Sequence, residues 1–185
     1  MGIQKAVKQI LTEIGEDPAR EGLEDTPLRI ERMMKEITSG YGSDPMKIAR
    51  EAVYEIDYDE MVIVKDTEFY SMCEHHMLPF FGKCHVAYIP NKKIIGLSKI
   101  PRIIEVFSRR LQVQERMTVQ IANLLKEALS PKGVAVVVKG YHLCMAMRGV
   151  EKSGANMITS SMNGLFRSDE RSREEFLSLI KETGL

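Results

Sequence analysis

Cysteine and histidine are scarce in this chain, three and four respectively among 185 residues. The cysteine count is odd, and the opening MGIQKAVKQILTEIGED lacks the apolar block of an export signal. Both features argue against a disulfide framework and for reduced thiols in a cytoplasmic protein. Net charge is missing too. The 26 basic and 26 acidic side chains cancel, which argues against non-specific nucleic-acid binding while leaving room for a local basic pocket. No segment approaches the roughly eighteen consecutive apolar residues that a membrane span needs. Internal repeats and low-complexity tracts are also absent. What is left is an ordinary globular composition, 44% hydrophobic, long enough for one domain or a small core with a helical appendage.

The hydrophobic pattern changes character once. Ile3, Val7, Ile10, Leu11 and Ile14 recur at helical spacing until Gly15, and Thr26-Pro27 supplies a cap and first-turn proline for a second helix through Ile30, Met33, Met34 and Ile37. Asp44-Pro45 opens a short third helix. From Val53 the pattern becomes that of strands, MVIVKDTEFYSM and GKCHVAYIP, with a turn at Pro90-Asn91. A helix capped by Ser98 and another over 112–129 follow, then VAVVVKGYHLCMAM as a strand apolar enough to be buried on both faces. NMITSSMNGLF reads as a further strand and Ser168 to Glu182 as a closing helix. The expected organisation is a helical segment over 1–52 and an α+β domain over 53–185, with antiparallel strand pairs and helices on one side.

The scarce residues are not scattered. Three of the four histidines and two of the three cysteines fall in CEHH (73–76) and YHLCMAMRG (141–149). In a strand, alternate residues share a face, which would point His142 and Cys144 the same way. Cys73 and His76, in C-x-x-H spacing, can converge on the same ion where the chain turns. Two thiolates and one imidazole make a zinc set that keeps a fourth position for water, with the remaining histidines, His75 among them, beside it. A closed structural site of Cys73, His76, His142 and Cys144 fits the same spacing. Cys84 and His85 read as strand residues rather than ligands.

Cations and one acid accompany this set. Ser98-Lys99 opens a helix whose free N–H groups favour an anion, and Arg102 lies close to the same face. Arg148 follows the H-x-C stretch, and Arg29 and Arg32 share one helix face. Gln114-Glu115 starts another helix, where an acid suits the N-terminus.

Three blocks, CEHHMLPFFGKCHVAYIP, IIGLSKIPRIIEVFSRRLQVQERMT and GYHLCMAMRGV, closely resemble GTP cyclohydrolase I, from about residue 25 onward. The resemblance implies a tunnelling fold, an antiparallel sheet backed by helices and closed into a barrel by oligomerisation. It also implies a toroidal homodecamer of two pentamers with active sites between subunits. By the same resemblance Cys73, His76 and Cys144 bind Zn2+, and His75 and His142 form an acid–base pair, His142 donating to the purine's imidazole nitrogen. Glu115, helped by Gln114, accepts from guanine's ring N–H and amino group. Ser98, Lys99, Arg102, Arg148, Arg29 and Arg32 hold triphosphate and ribose. Arg32 stands where the family can carry lysine, a fork in place of a point charge. The implied reaction is zinc-dependent hydrolysis and rearrangement of GTP to formate and 7,8-dihydroneopterin triphosphate, the first step toward folate or biopterin. The sequence gives no sign of a regulatory partner. Other tunnelling-fold enzymes acting on a pterin or deazapurine, and a zinc-stapled interaction module, are the competing readings. A zinc nucleobase deaminase wants H-x-E with P-C-x-x-C, and neither is present.

Overall fold

The computed structural model describes residues 2–181, which fall into two compact units, one up to Ser39 and one from Gly40 onward. In the first, α1 (Ile3–Glu13) packs on α2 (Thr26–Ile37). Val7 and Leu11 form its buried stripe, and Gly15 leaves the helix at φ 89°, a conformation glycine adopts at little cost. Thr26, expected as the cap, is instead the first helical residue, and Asp25 holds the cap position. The Asp25 carboxylate caps no backbone group and pairs with Arg29 at 3.3 Å.

The first α-helix of the second unit is α3 (Pro45–Arg50), capped by Asp44, which accepts from Met46 N and Lys47 N. A two-stranded ribbon joins β1 (Val53–Glu55) to β4 (Lys93–Ile95). The main sheet runs in the order β5, β2, β3, β6, β7, with β2 (Val62–Cys73), β3 (Pro79–Ile89), β6 (Gly133–His142) and β7 (Met157–Gly164) antiparallel neighbours. β5 (Leu111–Gln112) adds a short parallel pairing to Met72 and Cys73 at the end of β2. The sequence pattern assigned Gln112 to the following helix. It is held in the sheet because its carbonyl accepts from Glu74 N and its amide bonds Phe107 O and Gln120 Oε1.

Two helices, α4 (Lys99–Ser108) and α5 (Gln114–Leu129), cover one face of this sheet. Ile100, Ile103, Ile104, Met117, Ile121 and Leu125 pack there on Val134, Val136 and Val138 of β6 and on Phe80, Cys84, Val86 and Tyr88 of β3. The intervening residues Ala135 and Val137 face the other way, into a smaller cluster with Ala87, Ile89, Phe166 and Phe176. The long apolar run of β6 is therefore buried on both faces, as its composition predicts. Helices on one side only were expected. The second cluster shows otherwise, because α7 (Leu165–Ser168) and α8 (Glu170–Ile180) fold over the opposite face. Asp169 caps α8 by accepting from Ser172 N at 3.1 Å. Glu182, the expected end of that helix, lies outside the described residues.

The expected strand through Cys144 stops early. β6 ends at His142, whose partner Phe80 is the second residue of β3. Beyond that point no strand among the described residues pairs with the backbone, and the chain turns into a single helical turn, α6 (Leu143–Ala146). Among the described residues no helix is long and apolar enough to cross a membrane.

Ile121 is fully buried between α5 and the sheet. Replacing it by alanine removes three carbons and leaves a cavity, which should cost roughly 2–5 kcal/mol of stability. Urea unfolding of Ile121→Ala against the parent measures it, and a loss under about 1 kcal/mol would mean the helix–sheet interface collapses around the gap.

Candidate active site

The cysteine and histidine candidates collect where the open end of the helix-covered sheet face meets the start of α5. Strand register brings them there. Cys73, two residues after Ser71 on β2, shares the face of Phe80 on β3 and His142 on β6, because Ser71 pairs with Phe80 and Phe80 with His142. After Cys73 the chain makes a tight turn, with Met77 N donating to Cys73 O at 2.8 Å, Cys73 N to Leu78 O at 2.9 Å, and Met77 at φ 53°. Glu74, inside this turn, donates its N–H to Gln112 O at 3.1 Å and receives Arg116 of α5 in an ion pair. That guanidinium holds the Glu74 carboxyl below its usual range. The turn carrying His75 and His76 is thus tied to both β5 and α5.

One atom from each of Cys73, His76 and Cys144 lies within 4.8 Å of the others. The Cys73 thiol is 3.8 Å from His76 Nδ1 and 4.0 Å from His75 Nδ1. Cys144 reaches the group from α6 rather than from a strand face, so the alternation argument that linked it to His142 does not hold. Leaving the strand moves Cys144 but keeps it in range. Burial, and after it the neighbouring Cys73, pushes the Cys144 thiol up, with Arg148 opposing. Two thiols and an imidazole packed this closely are a donor set that a soft divalent cation would relieve, since thiolates ligate such ions and otherwise repel one another.

His142 is held on two sides. Its ring stacks on Phe80 with centroids 4.5 Å apart and planes 4° from parallel, and its Nε2 lies 2.9 Å from Gln114 Oε1. Burial holds its pKa below the ordinary histidine value, with Glu115 pulling the other way. Glu115 itself is exposed. Gln114, expected beside it at a ligand, is only 1% exposed. Its amide nitrogen is 3.1 Å from each of Val138 O, Met157 O and Thr159 Oγ1, so its side chain is spent inside the chain. Sequence spacing gave no sign of this, because the partners come from two distant strands, β6 and β7.

The cations form a second group. Ser98 occupies the cap position of α4 with no side-chain bond to the helix, and Lys99 reaches Glu51 at 2.7 Å, which lowers the Glu51 carboxyl. Arg102 is exposed one turn on. No hydrogen bond or ion pair among the described residues joins these three to the cysteine–histidine group. Arg29 and Arg32 lie exposed on α2 of the first unit. Cys84 and His85 sit on β3. Cys84 is fully buried, which pushes its thiol up to about 12, and His85 accepts from Asp66 N at 3.1 Å through Nδ1.

Comparison with known proteins agrees with the sequence blocks. A family profile described as GTP cyclohydrolase I matches residues 3–181. The GTP cyclohydrolase 1 of Deinococcus radiodurans is 55% identical over 98% of this chain and 84% of its own length. That of Leptospira biflexa is 55% identical over 97% and 98%, and that of Chlorobaculum tepidum 57% identical over 95% and 78%. Among solved structures, an archaeosine synthase QueF-Like in the apo form is 21% identical, covering 56% of this chain and 93% of that one with a TM-score of 0.43.

The three thiols should separate by environment. After chelation in mildly alkaline buffer, Cys73 and Cys144 should react with a disulfide reagent, and Cys84 only after unfolding. A Cys84 that reacts at the same rate in the folded protein, checked by mass mapping, would contradict its burial.

Proposed function

Because the chain belongs to the GTP cyclohydrolase I family, we propose that this site performs that family's reaction on GTP. The purine's imidazole ring is opened by hydrolysis, formate leaves, and the remainder rearranges and closes to 7,8-dihydroneopterin triphosphate. The convergence of Cys73, His76 and Cys144 beside His142 carries the reading. The set suits zinc, with two thiolates, one imidazole and a position left for water. When bound, such an ion supplies Lewis acidity and lowers the pKa of water for attack at C8.

The chain's own residues do the rest. His75 and His142 exchange protons with neighbouring atoms of the opening ring, and His142 protonates the imidazole nitrogen as its bond to carbon breaks. Glu115 accepts from guanine's ring N–H and amino group, a pattern adenine does not offer. Ser98, Lys99, Arg102 and Arg148 hold ribose and triphosphate. Lys99 then exchanges its Glu51 partner for phosphate oxygens. The catalytic domain is residues 53–185. Both edges of the main sheet, β7 and the stretch of β2 beyond β5, lack a strand partner among the described residues. Pairing of such edges between copies supports a closed homo-oligomer, a decamer of two pentamers, with sites shared between subunits. The enzyme's reduced thiols suit the cytoplasm.

Incubation with GTP, following formate and the fluorescence of the oxidised pterin with and without a chelator, tests the reading. Both products should form, and both should stop when metal is removed. Formate without a pterin would end the cyclohydrolase reading. His142→Ala should retain metal and lose product. Glu115→Gln replaces an acceptor by an amide carrying donors, and should weaken GTP binding about 10- to 100-fold; unchanged binding would move guanine recognition elsewhere.

A further inference from the structure

The bonds around Gln114 form a chain whose proton positions follow from one another. Thr118 Oγ1 lies 2.7 Å from Gln114 O, which can only accept, so that hydroxyl donates there. It must then accept from Thr159 Oγ1, 2.7 Å away, whose own proton is thereby used. Thr159 Oγ1 is left with lone pairs facing the Gln114 amide at 3.1 Å. Val138 O and Met157 O, both carbonyls, stand at the same distance. Three acceptors around one end of the amide require its NH2 group there, since the reverse orientation would set oxygen against two carbonyl oxygens. Gln114 Oε1 therefore faces His142 Nε2 at 2.9 Å and needs a donor from it.

We propose that Gln114 is a positioning residue that holds His142 as its Nε2–H tautomer and leaves Nδ1 as the atom that transfers the proton. The proposal rests on the role of His142 given above. The site is built for this contact. At Gly140, two residues before His142 on the same face of β6, a Cβ would collide with Gln114 Oε1, so only glycine lets the amide lie against the strand. The stacked Phe80 ring fixes the imidazole plane, and the amide then fixes its rotation within that plane. Among the described residues nothing bonds Nδ1. In the proton transfer assigned to His142 above, the N–H bond that breaks is at Nδ1, while the one at Nε2 is kept. Throughout, the Nε2 proton stays on the ring and is donated to Gln114 Oε1, so the ring does not turn between turnovers.

This role differs from a contact to guanine in what it changes. In the metal-loaded enzyme, Gln114→Met keeps the side-chain length and removes every side-chain hydrogen bond. It should lower kcat about 10- to 100-fold, at or below the lower bound of what positioned proton transfer supplies, because the imidazole itself remains. KM for GTP and metal content should stay within about twofold of the parent, on the same reasoning that only proton transfer is affected. An unchanged kcat would overturn the proposal, and so would a loss confined to KM, which would return Gln114 to the guanine subsite. If the variant does not fold, the unsubstituted enzyme decides. With only four histidines in the chain, 15N-histidine NMR of the zinc-loaded protein resolves each ring, and His142→Gln identifies the signal. An Nε2–H tautomer is expected, and Nδ1–H would overturn the assignment. Failure of the parent to turn over GTP would instead remove the reaction reading and leave the tautomer to the spectrum.

Discussion

The antiparallel register that joins β2, β3 and β6 fixes where the sheet-borne groups of the site can be, because it decides which residues at the sheet's open end face α5. Ser71 opposite Phe80 and Phe80 opposite His142 put Cys73, Phe80, Gly140 and His142 on a single face. A slip of one residue in any of these pairings would send that strand's contribution to the opposite side. The same register alternates Val134, Val136 and Val138 against Ala135 and Val137. The hydrophobic packing that stabilises the sheet and the placement of the reactive groups are therefore one constraint. Burial on both faces makes the register costly to change, and the site inherits that rigidity.

At the end of this rigid sheet the structure brings together groups that are unfavourable neighbours on their own. Two thiols share a partly buried space, and a buried glutamine approaches a histidine through a gap that only glycine leaves. Each is resolved by a specific partner. The thiols have an imidazole in reach and geometry suited to a cation. The glutamine has a full complement of donors and acceptors drawn from β6, β7 and α5. A buried polar network is stable only when all of its members are satisfied. Satisfaction here also determines which way each proton points, so a requirement of folding becomes a property of the chemistry.

Much of the fold was legible because it rests on local signals. Glycine at position 15, Asp44-Pro45 and the apolar period through Ile100, Ile103, Ile104 and Phe107 each predict an element that the structure contains. The misjudged places are those where tertiary pairing overrules local preference. Gln112 has helical neighbours but is drawn into β5 by Glu74 and Phe107. The end of β6 was placed too far along because composition does not reveal where a partner strand begins. The second layer of helices was missed because alternation within an all-apolar strand carries no sign of what covers each face.

The sequence by itself determined the chemical inventory: two clusters of scarce cysteine and histidine, a set of cations around Ser98 and Arg148, and the family to which their spacing belongs. These are properties of residue identity and order, and family membership follows from them directly. Only the tertiary structure decided which atoms meet. Cys144 comes to Cys73 from a helical turn rather than a strand, and Gln114, for which the family resemblance implied a ligand contact, is turned inward with its Oε1 against His142 Nε2. The physical reason is that a hydrogen bond or a shared ion depends on distances of a few ångströms between residues 28 to 71 positions apart. Such distances are set by sheet register and helix packing, which no local pattern encodes.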